Sequence, residues 1–311
     1  MVSVPKTNPI PQLSIVVPVH GDAAAFESTL ISVLENQPAA SEVIVSHDGS
    51  YDDPFDLGEE VRFVSADSGK YRDLVSTAAH QARGRFVHLL SDGLLATGGW
   101  TEHAVHALDH FDTAAVAPVI RSKHDQKIMA AGWSNGIARL GKPSTKLPLK
   151  SKQATQVVGA YLQASFWRRD VLRSLSAAFD GHEVFEASMV YHYLLRKAGW
   201  RTDLVADSSV LCEFESLPWE RVSLRRGMRL AAIRNHFAGM TSTQNLLSAG
   251  LACLSNLTSP SILIEALGQS LAPLSKDLKR QIHLDAVLTC DDQGMIVLMP
   301  RHGADTNRYA A

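Results

Sequence analysis

The chain reads as an α/β protein whose mostly parallel sheet carries helices on both faces, and its local patterns support this in three ways. Apolar, β-branched runs alternate at short spacing with amphipathic stretches: "LSIVVPVH" (13–20), "GDAAAFESTLISVLENQP" (21–38), then "EVIVSHDGS" (42–50). That alternation is the pattern of strands joined by crossover helices. The strand runs are apolar throughout rather than at every second residue, as strands covered on both faces must be. Finally, Asp48, Asp67 and Asp92 each follow directly on an apolar run. In such sheets, ligands bind beyond the carboxyl ends of the strands, where loops can carry polar groups.

Each element has a local reason. In 21–38, Phe26, Leu30, Val33 and Leu34 share one helical stripe and Pro38 closes it. A third short strand is expected over 61–70. The stretch 71–84 is helical, with Gly84 suited to its C-terminal cap. A fourth strand, "RFVHLLSDG" (85–93), ends abruptly in an acid. "AAVAPVI" (114–120) is strand, and a polar, Gly- and Lys-rich stretch follows to about residue 156. Residues 157–175 read as strand then helix, with Arg168 and Arg169 near the junction. Residues 186–199 form a helix closed by Gly199, and 200–214 return to strand. From about 217 helical patterns dominate, including the basic run "ERVSLRRGMRLAAIRNH" (220–236). A last pair of strand-like runs (284–302) turns at Asp292-Gln293-Gly294, a hairpin pattern. The expected organisation is one α/β domain over 1–216 and a mainly helical extension with a terminal hairpin over 217–311.

With 311 residues the chain is too long for one small core and short for two full-sized domains. A formal net charge of −2 gives no electrostatic ground for nucleic-acid binding. Cys212, Cys253 and Cys290 are scattered, forming neither a metal knuckle nor a disulfide frame, as in a reducing compartment. The start, "MVSVPKTNPIPQLS", has no apolar signal core, so a cytoplasmic location is expected. The uncharged run 237–264 is rich in Ser, Thr and Asn and is cut by Pro260, so it reads as packed helix rather than a membrane span.

In order and spacing, these segments resemble the family 2 glycosyltransferases of GT-A fold. The match covers about Leu13 to Phe214. It rests on "SIVVPVH", "TLISVLENQ", "EVIVSHDGSYDD", "ADSGKYRDLVSTAAHQARGRFVHLLSDGLL" and "FWRRDVL…FDG…LLRKAGWRTDLV". The resemblance implies a nucleoside-diphosphate-sugar donor, a divalent metal (Mn²⁺ or Mg²⁺) and transfer to a glycan, lipid or protein acceptor with inversion. Pro18, Val19 and His20 fall where the first strand's exit meets the nucleoside, and Asp48 on the acid that bonds the base. "LSD" falls on the Asp-x-Asp motif, with Asp92 at its second acid and metal position. Lys70, in the turn after Asp67, is a further candidate cation for the phosphates.

The chain also departs from the family pattern. Leu90 replaces the first acid of the motif, although one or two carboxylates suffice when phosphates and waters complete a hard cation's shell. The acid pair that supplies the acceptor base falls on Ala187 and Ser188, or on Glu186 and Ala187 with a one-residue shift. Glu186 is therefore the first base candidate, with Glu183 and His182 next; a helix N-terminus also favours an acid at Glu186 for its dipole alone. Cys212 stands near the family's late metal histidine, and a thiolate is softer than these cations prefer. The alternative expectation is a GT-A scaffold that binds nucleotide or a protein partner without turnover. Arg221, Arg225, Arg226, Arg229 and Arg234 make the basic helix a candidate for peripheral contact with an anionic membrane face or acceptor, a solvated helix face being the simpler reading.

Overall fold

The computed structural model describes residues 10–54, 56–147, 155–181, 183–275 and 278–283. The hairpin expected at 284–302 and the base candidate His182 lie outside the described residues. The chain begins with β1 (Leu13–Pro18), α1 (Ala23–Glu35), β2 (Ser41–His47), β3 (Val61–Ser65), α2 (Tyr71–Gln81) and β4 (Phe86–Leu90). It continues with β5 (Leu94–Leu95), α3 (Glu102–Leu108), β6 (Thr113–Ser122), β7 (Ile128–Ala131), β8 (Trp133–Ser134), β9 (Lys142–Pro143) and β10 (Thr155–Gln156). Then come β11 (Ala164–Arg168), α4 (Arg169–Ser176), α5 (Val184–Lys197) and β12 (Arg201–Cys212). The C-terminal part is helical: α6 (Leu224–Ala238), α7 (Ser242–Ser255), α8 (Pro260–Ser270) and α9 (Leu278–Gln281).

Among the described residues the main sheet runs β10-β12-β6-β11-β4-β1-β2-β3, with β5 joined to β12 and β7 to β6. The block β3-β2-β1-β4 is parallel, and so is β6 with β12. Strand β11 lies antiparallel between β4 and β6, which makes the sheet mixed. The uniformly apolar runs have the predicted consequence: Ile15, Val16, Val17, Ile44, Val45, Phe86, Val87 and Leu89 are fully buried between the helical layers. Because β1, β2 and β4 are parallel and in register, their carboxyl ends emerge on one sheet edge.

One local expectation changes. Gly84 does not cap α2, whose C-cap is Ala82. It serves close packing instead, since a Cβ there would sit 2.6 Å from the Ser14 backbone nitrogen. Arg168, near the expected strand–helix junction, serves the packing of the sheet. Its guanidinium donates to the carbonyls of Thr113, Leu108 and His110 at 2.6–2.7 Å, tying the end of α3 to the start of β6.

Helix α6 crosses α8 so closely that a Cβ on Gly227 would meet the Glu265 carbonyl oxygen at 1.9 Å. A Cβ on Gly268 would meet the Leu224 carbonyl oxygen at 2.1 Å. The basic helix is not a solvated face throughout. Arg229 is buried and forks both oxygens of Glu186 at 2.6–3.1 Å. Arg226 pairs with Glu265 at 2.8 Å and with Glu220 at 3.3 Å, while Arg234 donates to Ser248 and Asn245. No helix among the described residues is long and apolar enough to cross a membrane.

Candidate functional site

A cavity of about 1090 Å³ opens where the edge formed by the tips of β1 and β4 faces the start of α5 and the segment leading into α6. His20, Gly21, Asp22, Ser91 and Asp92 line its sheet side, and Glu183 and Glu186 the α5 side. Trp219, Glu220, Arg221 and Arg225 line the side of α6. The acid at the end of β4 therefore faces a cleft.

Asp92 is held there by its own short turn. The Leu94 N–H donates to the Ser91 carbonyl at 3.1 Å, and β5 then pairs with the end of β12, fixing the turn from both sides. Gly93 adopts φ +77°, and a Cβ there would fall 2.0 Å from the Phe214 ring, so only glycine fits. Gly21, at φ +116°, lets the chain pass over the carboxylate: a Cβ there would lie 2.8 Å from Asp92 Oδ2. Burial pushes the Asp92 pKa up to about 6, and the neighbouring Asp22 adds to the rise, while the Asp22 backbone N–H donates to the carboxylate and opposes it. A half-desolvated carboxylate with no cationic partner among the described residues is poised to gain from a cation.

Asp48 occupies a different place. It sits on the same sheet edge, at the tip of β2, but it is exposed and outside the wall of the cavity. Its Oδ1 accepts from the Ser50 N–H at 3.1 Å and hydroxyl at 2.5 Å, bonds that lower its pKa. Its other oxygen lies against Gly69, where a Cβ would meet it at 2.6 Å. Strand β1 separates β2 from β4, so the two strands run about 10 Å apart. Pro18 is buried, Val19 is half-buried with its N–H bonded to the Ser46 carbonyl at 2.8 Å, and Lys70 is the exposed N-cap residue of α2. Of the candidates from the sequence, the cavity thus gathers His20, Asp92, Glu183 and Glu186. Pro18, Val19, Asp48 and Lys70 stay on the edge beside it.

The two glutamates differ in availability. Glu186 is buried, and both of its oxygens are engaged by Arg229. Glu183, the exposed N-cap residue of α5, makes no side-chain hydrogen bond or ion pair among the described residues. Arg221 and Arg225 are exposed cavity residues and likewise make no ion pair among the described residues. Sequence reading missed Asp22, Tyr71, Gln163 and Trp219 as lining residues. Tyr71 is buried, and its hydroxyl accepts from Ser91 at 2.8 Å, bracing the residue next to Asp92.

Among the described residues no three His, Cys, Asp or Glu side chains gather as a metal cage. Leu90, the last residue of β4, is fully buried, and the buried Cys212 thiol donates to the Phe214 carbonyl at 3.7 Å, with burial raising its pKa. The donor set fits a hard divalent cation in one manner, with Asp92 as protein anchor and the remaining oxygens coming from a bound ligand and water.

No family model matches the sequence, and no curated protein matches it by sequence. Solved structures do match the fold. The structure of GalNAc-T7 with UDP, GalNAc and Mn²⁺ superposes with a TM-score of 0.55 at 14% identity, over 89% of this chain and 59% of that one. The chain thus spans less than two thirds of that protein. Staphylococcus aureus TarS with UDP-GlcNAc gives a TM-score of 0.55 at 12% identity, over 89% and 86% of the two chains. The mannosyltransferase PcManGT of Pyrobaculum calidifontis, with GDP-Man and Mn²⁺, gives 0.53 at 15% identity, over 87% and 82%. The fold is that of the GT-A glycosyltransferases.

Proposed function

We propose that the protein is a family 2-like glycosyltransferase that moves a sugar from a nucleoside-diphosphate donor to an acceptor hydroxyl, with inversion. The observation that carries this reading is Asp92, a desolvated carboxylate at a parallel strand's tip, in a cavity whose α6 side holds Arg221 and Arg225, which make no ion pair among the described residues. A diphosphate is the ligand class that satisfies both walls, directly at the arginines and through a shared cation at the carboxylate. Mn²⁺ or Mg²⁺ held by Asp92 would supply charge neutralisation of the departing diphosphate. The nucleoside lies along the edge of Pro18, Val19 and Asp48, outside the cavity proper, with Lys70 beside it.

Glu183 takes the role of acceptor base in preference to Glu186. A base must release its lone pair to an incoming hydroxyl proton, and Arg229 holds both Glu186 oxygens in charge-assisted bonds. Glu186 instead positions the helix that carries Glu183.

Calorimetry with UDP and GDP, with and without Mn²⁺, tests the reading. Wild-type protein is expected to bind one of them in a metal-dependent way. Asp92→Asn is expected to abolish the metal dependence, and the Arg221→Ala, Arg225→Ala pair to weaken binding by about 100-fold, as for two charge-assisted contacts. Equal metal-independent binding by all variants, or none by the wild type, overturns it.

A further inference from the structure

Helix α7 has its large and small residues on the opposite sides from those of an ordinary surface helix. Its inward face is Asn245, Ala249 and Ala252, continued by Asn256, all buried and all small or polar. Its outward face carries Leu247, Leu251 and Leu254, spaced i, i+4, i+7 and exposed by 70%, 52% and 67%. The adjoining α8 follows suit, burying Glu265, Ala266, Gly268 and Gln269 while Ile264 and Leu267 stay open. The two helices are neighbours, joined where the Asn245 amide donates to the Gln269 carbonyl at 3.1 Å. A solvated helix places charged and polar residues on such a face.

The missing charge identifies what covers it. From 237 to 275 the sequence carries a single ionisable acid or base, Glu265, and that residue is buried and paired with Arg226 and Arg139. A helix lying on a membrane surface sets Lys or Arg on its polar face, and none is present in this stretch. A two-fold interface makes the opposite demand. Residues near the axis meet their own copies, so any charge there would face its like, and an uncharged, self-complementary apolar stripe is what such symmetry favours. The six open side chains of α7 and α8 (Leu246, Leu247, Leu251, Leu254, Ile264 and Leu267) each expose roughly 100 Å², so together they reach roughly 600 Å², the per-partner area at the low end of stable interfaces and the upper end of what monomers leave open.

We propose that α7 and α8 are the interface of a homodimer, with Leu247, Leu251 and Leu254 packed against the same residues of a second copy. The interface lies on the C-terminal helices rather than on the cavity, so it stands apart from the proposed catalytic reading. The test is sedimentation equilibrium on the full chain at micromolar concentration, with the double variant Leu251→Glu, Leu254→Glu beside it. Wild-type protein is expected at twice the 33.8 kDa chain mass and the variant at the chain mass, with unchanged far-ultraviolet circular dichroism. The milder Leu247→Gln is expected to weaken the dimer by about tenfold and serves if the double variant fails to fold. A monomeric wild type, or a variant as dimeric as the wild type, overturns the proposal. So does a monomeric wild type that floats with phosphatidylcholine–phosphatidylglycerol vesicles, which would assign the face to lipid.

Discussion

At the residue scale, two carboxylates on neighbouring segments carry opposite expectations. Glu183→Gln removes an exposed acid that has no ion pair among the described residues, so the melting temperature should hold while turnover falls by about 100-fold or more, in line with the loss of a general base. Glu186→Gln leaves Arg229 buried opposite a neutral amide, and breaking a buried pair costs about 3–5 kcal/mol. Thermal melts alongside turnover separate the two. Asp92 makes a pH prediction. Its folded-state pKa, pushed up to about 6 by burial, exceeds the unfolded value, so its contribution to stability is full below about pH 4 and lost as pH rises through 6. At pH 7 the ionised group then costs about 2 kcal/mol after allowance for its partial exposure. Asp92→Asn is therefore expected to melt higher than wild type at pH 7 and equally at pH 4, as measured by calorimetric scans.

At the element scale, the α6–α8 crossing depends on having no side chain at two positions. Gly227→Ala or Gly268→Ala puts a Cβ about 2 Å from a backbone carbonyl that cannot move aside. Overpacking of this kind costs about 1–3 kcal/mol and outweighs the gain of roughly 1 kcal/mol from alanine's helix propensity. Gly250, in α7, has open space around its missing Cβ, so Gly250→Ala should stabilise by about 0.5–1 kcal/mol. Denaturant titrations of the three variants check the difference in sign. The same crossing shows why the direction of each arginine on the basic helix is not legible in the sequence. Its periodicity indicated a helix, but the direction of each arginine depends on acids distant in the chain. Glu186 and Glu265, for Arg229 and Arg226, lie 43 and 39 positions away.

At the scale of the whole molecule, what could be read in the sequence was what adjacent residues decide. The uniformly apolar runs around Val16, Val45 and Val87 marked strands covered on both faces, and the turn "SDG" marked a strand tip. On those grounds Asp92 reads as a strand-tip acid, and it stands just after β4 beside the cavity. Asp48 looks equivalent in sequence, yet its carboxylate accepts from Ser50 and lies against Gly69, on the far side of β1 from the cavity. The antiparallel placement of β11 and the capping role of Arg168 depend on pairings across the sheet that no window of neighbouring residues contains. A chain ending at residue 216 lacks α6, whose Leu230, Ala231 and Ile233 belong to the main core, so apolar surface of the α/β part is left uncovered. It is expected in the insoluble fraction, which expression and centrifugation would show.

Asp92 and the exposed arginines Arg221 and Arg225 belong to different stretches of the chain, the turn after β4 and the approach to and start of α6. An occupant touching both acts as a strut between the sheet and the C-terminal helices, and its binding energy is added to whatever holds them together. Hydrogen–deuterium exchange in the first turn of α6 should therefore slow when the cleft fills, making the backbone amides there a reporter of occupancy.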